Sequence, residues 1–134
     1  MDDRQIKLVQ DSWAHVTPLG VKFTREFYNL LFEEHPEVEQ LFPDSMVLQE
    51  KLLFKMINSA VSCLPSEEVF VRMMSRLGDR HRDFGLSSVH YSFFLHCLMA
   101  SMKDALADEW TGELESAWRE VFKGMSLGML TAGS

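Results

Sequence analysis

The chain has 134 residues, with 13 Lys plus Arg against 20 Asp plus Glu, and so carries a formal net charge of -7. A chain of this length suits one domain, and we expect residues 1–134 to form it. Hydrophobic residues make up 46% and charged residues 25%, which is typical of a globular protein with a substantial core. No basic run is present to follow a phosphate backbone, so nucleic acid is not an expected partner.

The first residues of the chain and its two cysteines indicate a reducing compartment. Residues 1–4 (MDDR) lack the basic and then apolar pattern of a secretory signal, which predicts a cytoplasmic protein. Cys63 and Cys97 show no CxxC spacing, so small buried hydrophobic residues are favoured over a disulfide or a zinc site. The uncharged stretch 84–102 contains serines and histidines, and it predicts a buried helix rather than a membrane span of about 20 apolar residues.

Apolar residues in the first third of the chain recur at helical spacing. A first helix is predicted over 3–16, with a stripe through Val9 and Trp13, and Pro18 and Gly20 close it. A second helix over 19–34 has apolar residues on more than one face and must pack on at least two sides. Pro36 suits the first turn of a short third helix that ends before residue 43.

The remaining segments also predict helices, which makes the expected fold all-α. One helix carries an apolar stripe formed by Met46, Gln49, Leu53, Ile57, Ala60 and Leu64. Ser66 caps the next, whose inward face is predicted to carry Val69, Met73, Leu77, His81 and Phe84 before Gly85 ends it. Ser87 or Ser88 caps a helix over 89–106, and Thr111 opens a last one through Trp118, Phe122, Met125 and Leu130. Six long or medium helices and at least one short one are expected.

Two polar residues interrupt these apolar stripes. His81 and Gln49 both fall where the periodicity predicts a core residue, and burying either without a partner costs about 1–3 kcal/mol. No HxxxH or HxxE pair places two metal ligands on one helical face, which argues against zinc. One histidine is enough to hold iron inside a porphyrin, and ten Phe and nine Met suit a flat apolar disc. A hydrogen-bonded core histidine and a haem ligand both remain open at this point.

Several short motifs, taken together, resemble one family. They are the segment 27–32 (FYNLLF), then HPEV at 35–38 and LF at 41–42, LGDRH at 77–81, Gly85, His90-Tyr91, and Trp118 with Phe122. The set resembles the bacterial single-domain haemoglobins and the globin part of flavohaemoglobins, in order and over nearly the whole chain. The resemblance implies a globin fold of about six to eight helices that sandwich haem b.

Residue by residue, the resemblance implies roles around that cofactor. His81 would be the proximal iron ligand, and Phe42 the aromatic residue that wedges the porphyrin. Gln49 and Tyr28 would be the distal donors, with Leu53 over the iron. The other residues implied to line the cofactor are Ile57, Leu77, Leu86 and Tyr91.

Charged residues near the expected cofactor are the usual partners of its propionates. Arg80, Arg82 and Lys55 are candidates, of which Arg80 is preferred, although a solvated face is the ordinary interpretation of such charges. The chain departs from the family at Gly133, which aligns with a glutamate that hydrogen-bonds a tyrosine and the proximal histidine in flavohaemoglobin-related proteins. The strong electron push associated with that glutamate is therefore not expected here.

Three classes of function follow from these observations. The first is reversible binding of O2, with NO and CO as further ligands, as in oxygen transport, at a pentacoordinate or weakly hexacoordinate iron with high oxygen affinity. The second is an NO dioxygenase that needs a separate reductase, because no GxGxxG motif is present. The third is a gas-sensor domain of a larger signalling protein, or a haem-free interaction module. Peroxidase chemistry is disfavoured because a distal glutamine is a poor general base. The sequence does not determine the oligomeric state.

Overall fold

The described part of the chain contains six α-helices. The computed structural model describes the backbone of residues 1–81 and 88–131, and the side chains of residues 1–76 and 88–126. The helices are α1 (Asp3–Val16), α2 (Val21–Glu34), α3 (Val47–Cys63), α4 (Glu67–His81), α5 (Ser88–Leu106) and α6 (Gly112–Thr131). Short 3-10 segments cover Thr17–Leu19, Pro36–Leu41 and Ala107–Glu109. No strand occurs in the described ranges, and the predicted all-α fold is confirmed.

The helix boundaries follow from capping residues in the sequence. Asp2 caps α1: its carboxylate accepts a hydrogen bond from the Gln5 backbone N–H at 2.8 Å. Thr111 caps α6 in the same way, because its hydroxyl accepts from the Leu114 N–H at 3.1 Å. The second helix begins two residues later than predicted, because Gly20 adopts a φ of +55° that separates a 3-10 turn from α2.

Tryptophan side chains occupy the contact between α1, α3 and α6. Trp118 is fully buried, and its indole N–H donates to the Ser12 hydroxyl at 2.9 Å. Ser12 in turn donates to the Val9 carbonyl at 3.0 Å. Trp13 donates to the Asn58 side-chain oxygen at 3.0 Å, which ties α1 to α3. Both indole donors are therefore satisfied inside an apolar core, as buried polar groups require.

The inward face of α4 differs from the predicted one. Val69 is 45% exposed, whereas Met74 is fully buried and Phe70 and Met73 are partly buried. The helix packs mainly on α6, where a Cβ at Gly124 would lie 3.2 Å from a Phe70 ring atom. This close approach at Gly124 turns Phe70 towards α6 and Val69 towards the surface. The placement of Val69 in the core was therefore wrong, and Phe84 and Gly85 lie outside the described residues.

Helix α5 is buried along much of its length, as its uncharged sequence predicts. Cys97 and Met102 are fully buried, and Leu98 and Met99 nearly so. Within the described residues no helix has the length and apolarity of a transmembrane span. The helix instead packs against α2 and α6.

Two contacts join α5 to the end of α2. The His35 and Phe93 rings stack with centroids 3.6 Å apart and an interplanar angle of 10°. The Cys97 sulfur lies 3.6 Å from a Glu34 carboxylate oxygen, and both cysteines are free thiols. Burial and, secondarily, the Glu34 carboxylate raise the pKa of the Cys97 thiol to about 12. Cys97 is therefore the small buried residue that the sequence predicts, while Cys63 is only partly buried.

We expect Ser12→Ala to lower the free energy of unfolding by about 1–3 kcal/mol, because it leaves the buried Trp118 donor unsatisfied. The matched control is Ser62→Ala. That hydroxyl also donates to a helix carbonyl, at 2.9 Å from the Asn58 oxygen, but it is exposed. The control should change stability by less than about 0.5 kcal/mol. Urea unfolding followed by tryptophan fluorescence measures both, and equal effects would contradict the role given to the indole bond.

We expect native Cys97 to resist alkylation by iodoacetamide. With a pKa of about 12, its thiolate fraction at pH 8 is roughly a thousandfold smaller than that of an ordinary cysteine, and its rate should rise with pH. In a Cys63→Ser background, Glu34→Gln should accelerate the reaction because it removes a carboxylate that raises the pKa. The neighbouring exposed Glu33→Gln is the control and should have no effect. Mass spectrometry follows the reaction, and native Cys97 labelled as fast as in urea would refute the expectation.

Candidate functional site

The candidate site lies where α2, α3 and α5 meet. Tyr28 projects from the middle of α2 and is only 6% exposed. Burial and, secondarily, the Glu50 carboxylate raise the pKa of its phenol well above the ordinary value. The phenol is therefore neutral over the whole physiological pH range and can donate a hydrogen bond.

Helix α3 contributes the predicted residues of the distal face. Ile57 is fully buried, and Gln49 and Leu53 are partly buried. Gln49, Leu53 and Ile57 follow at intervals of four residues, which places them on one side of the helix. The packing of α2 on α3 brings this helix against the one that carries Tyr28.

Aromatic rings surround Tyr28 and connect it to α5. The Phe42 ring follows the 3-10 segment and meets the Tyr28 ring edge to face, with centroids 5.5 Å apart. Phe42 also lies 6.3 Å from Phe94 of α5, whose ring is 6.3 Å from that of Tyr91. Phe32 completes the group at 5.4 Å from Phe42. Phe42 and Tyr91, two residues predicted to line a cofactor, thus belong to one connected aromatic cluster.

A charged pair lies beside the distal face. The Arg25 guanidinium donates to the Glu50 carboxylate at 3.3 Å, and the Glu50 side chain is only 10% exposed. The Thr24 hydroxyl donates to the Glu50 backbone carbonyl at 2.8 Å. Glu50 is adjacent to Gln49, and Thr24 and Arg25 precede Tyr28 by four and three residues on α2. The pair therefore joins the two helices at the level of both predicted donors.

The Tyr28 hydroxyl is not fully enclosed by protein atoms. Among the described residues, every fully enclosed side-chain nitrogen or oxygen has a hydrogen-bond partner. The Tyr28 hydroxyl forms no hydrogen bond with another described residue, so its oxygen is not among the fully enclosed atoms. A neutral donor beside aromatic rings suits a haem with a small bound ligand.

The proximal side is described only in part. His81 is the last residue of α4, and its side chain and those of Leu77 and Arg80 lie outside the described residues, as does the whole of Leu86. Tyr91 is 8% exposed, and burial raises the pKa of its phenol. The roles of these residues stay predictions.

Sequence reasoning missed Glu50. A glutamate next to the Gln49 stripe is expected on a solvated face, and only its burial against α2 reveals the pairing with Arg25. The one indication in the sequence is the pair Thr24-Arg25, one helical turn before Tyr28. Such a pair is too common to identify a partner on another helix. The stacking of His35 on Phe93 was missed for the same reason.

Comparison with known proteins identifies the family of the chain. Residues 25–129 match the family model described as Globin. The chain is 26% identical over 125 residues to a flavohemoprotein of Bacillus cereus, covering 91% of this chain and 31% of that protein. It is 23% identical to leghemoglobin 29 of Vicia faba, covering 95% of this chain and 94% of that protein. The chain thus spans about a third of the flavohemoproteins it matches.

A solved structure shows the same fold. The crystal structure of a hexacoordinated heme protein from an anhydrobiotic tardigrade matches with a TM-score of 0.89 at 17% identity, covering 98% of this chain and 94% of that one. The all-helical architecture and the family match point the same way, and the predicted resemblance is confirmed. The chain belongs to the globin family.

Proposed function

We propose that this globin holds haem b through His81 and reversibly binds O2, with NO and CO as further diatomic ligands. The observation that carries the proposal is Tyr28, a buried residue whose neutral hydroxyl forms no hydrogen bond with the described residues, on a helix that packs against the one carrying the partly buried Gln49. The proposal treats residues 1–134 as one cytoplasmic domain whose role is oxygen binding or transport.

The haem, when bound, supplies an iron that binds a diatomic ligand and passes negative charge to it. Tyr28 O–H and Gln49 N–H act as donors to that charge. Each contributes about 1–3 kcal/mol in a site from which water is excluded. Two donors give slow oxygen release and high affinity.

The apolar residues of the site keep water away and hold the cofactor. Phe42 packs edge to face on Tyr28, and Leu53 and Ile57 extend the apolar side of α3 beyond Gln49. On the opposite side, the His81 imidazole would hold the iron, and Leu77, Leu86 and Tyr91 would line the ring. Arg80 would pair with a propionate. Because Gly133 replaces the glutamate of the related proteins, we expect the His81 imidazole to be hydrogen-bonded only to a neutral group.

NO dioxygenation is the second candidate function. Its support is the match to flavohemoproteins, whose name indicates a flavin as well as a haem and of which this chain spans about a third. Turnover on this chain would need electrons from a separate reductase, because the residues present include no GxGxxG motif. Rapid formation of nitrate with such a reductase would favour this function over oxygen binding alone.

We expect the purified chain to bind added hemin in a one-to-one complex with an intense Soret band, because His81 supplies the axial nitrogen. His81→Ala should weaken binding and change the band, while the exposed His15→Ala should bind hemin like the wild type. Optical titration measures both. Hemin binding unaffected by His81→Ala would contradict the proposed ligand.

We expect Tyr28→Phe and Gln49→Ala each to raise the oxygen dissociation rate about tenfold, because each removes one donor worth about 1.4 kcal/mol. Dissociation of CO should change less, because CO carries less charge. The exposed Gln40→Ala is the control and should leave the oxygen rate unchanged. Stopped-flow spectroscopy gives the rates, and unchanged rates in both distal variants would refute the donor model.

A further inference from the structure

The contact between Glu50 and α2 is built from two kinds of hydrogen bond at one place. Thr24 is fully buried, and its hydroxyl lies 2.8 Å from the Glu50 carbonyl oxygen and 3.1 Å from that of Val21. The Arg25 guanidinium lies 3.3 Å from the Glu50 carboxylate. Thr24 and Arg25, which are neighbours on α2, therefore bind both the main chain and the side chain of Glu50.

This arrangement places a negative charge where it is costly. The Glu50 side chain is 10% exposed, whereas Arg25 is 55% exposed. A carboxylate loses hydration on burial, and a half-exposed arginine compensates for that loss only in part. Such a pair with a buried carboxylate adds little net stability, so fold stability alone is a weak reason for a glutamate here.

The position of Glu50 suggests what the charge does. It follows Gln49 directly in the chain, and its α2 partners lie one helical turn from Tyr28 on the same side of the helix. We propose that Glu50 is a positioning residue for both distal donors. Through Thr24 and Arg25 it holds α3 on α2, and its negative charge adds to the effect of burial in opposing ionisation of the Tyr28 phenol.

The charge has a defined direction of effect. A phenolate at position 28 would lie near a second anion in a poorly solvated site, and the Glu50 carboxylate accordingly raises the pKa of Tyr28 beyond the effect of burial. A neutral phenol donates a hydrogen bond, whereas a phenolate only accepts one and could itself bind iron. The other charged residues near this junction, Lys22, Glu26 and Lys51, are exposed. Tyr91 is the nearest further titratable group of the aromatic cluster.

Neutral variants of Glu50 and Arg25 should affect the ionisation of Tyr28 differently. In the full-length protein labelled with 13C at tyrosine Cζ, the NMR shift reports ionisation, and a Tyr91→Phe background leaves Tyr28 as the one tyrosine. Glu50→Gln should move the Tyr28 titration to lower pH, because it removes a negative neighbour. Arg25→Gln should leave it at least as high as in the wild type, because the carboxylate loses its counter-charge. If the pair had a purely structural role, both variants would shift the Tyr28 titration in the same direction.

Matched controls separate the charge from the packing. Glu115 and Arg119 form a pair with the same 3.3 Å separation on the exposed side of α6, and Glu115→Gln should leave Tyr28 unchanged. Thr24→Val removes the hydroxyl but no charge, so it should raise the oxygen dissociation rate several-fold without moving the Tyr28 titration. Thr24→Val with a wild-type oxygen rate would overturn the packing half of the proposal.

The inference rests on the proposed function only in giving Tyr28 and Gln49 the role of donors. If Tyr28→Phe leaves oxygen dissociation unchanged, the donor role fails, while the Tyr28 titration still reports the effect of Glu50. Suppose that Tyr28→Phe accelerates oxygen dissociation, but Tyr28 titrates in Glu50→Gln as it does in the wild type. The proposed effect of the Glu50 charge is then overturned, and the proposed function stands. Should Glu50→Gln not fold, Glu50→Asp keeps the charge and should keep the Tyr28 titration high; a lowered titration would overturn the proposal.

Discussion

The packing of α2 on α3 is the contact on which the site depends. The Tyr28 hydroxyl of α2 and the Gln49 amide of α3 form no hydrogen bond with another described residue. Neither group is useful as a donor unless the two helices keep a constant separation. The hydrogen bonds from Thr24 and Arg25 to Glu50 act at this level of the helices, where small displacements would matter most.

The other helices pack around the contact between α2 and α3. The aromatic cluster extends from Tyr28 through Phe42 and Phe94 to Tyr91, so that α5 closes one side of the site. The buried indole bonds join α1 to α3 and α6 at the opposite side of the core. Close packing on both sides fixes the position of Tyr28 and its unpaired hydroxyl.

Much of the fold could be predicted from local sequence, because caps, prolines and glycines mark where helices begin and end. The residue order on α3 also identified Gln49 as a polar residue on an apolar stripe. The face of α4 could not be predicted, because its rotation depends on the close approach of Phe70 to Gly124 on a distant helix. The burial of Glu50 could not be predicted for the same reason, since it depends on Arg25 and Thr24 of another helix. The resemblance to globins, rather than periodicity, supplied the roles given to His81 and Tyr28.

The central claim is that one imidazole, that of His81, holds iron opposite the two donors. Resonance Raman spectroscopy of the ferrous protein without gas tests it directly, through the stretching band of the bond between iron and imidazole. The account predicts a band that shifts when histidine is labelled with 15N, disappears in His81→Gly and returns when free imidazole is added. A band that persists in His81→Gly without imidazole would contradict the account.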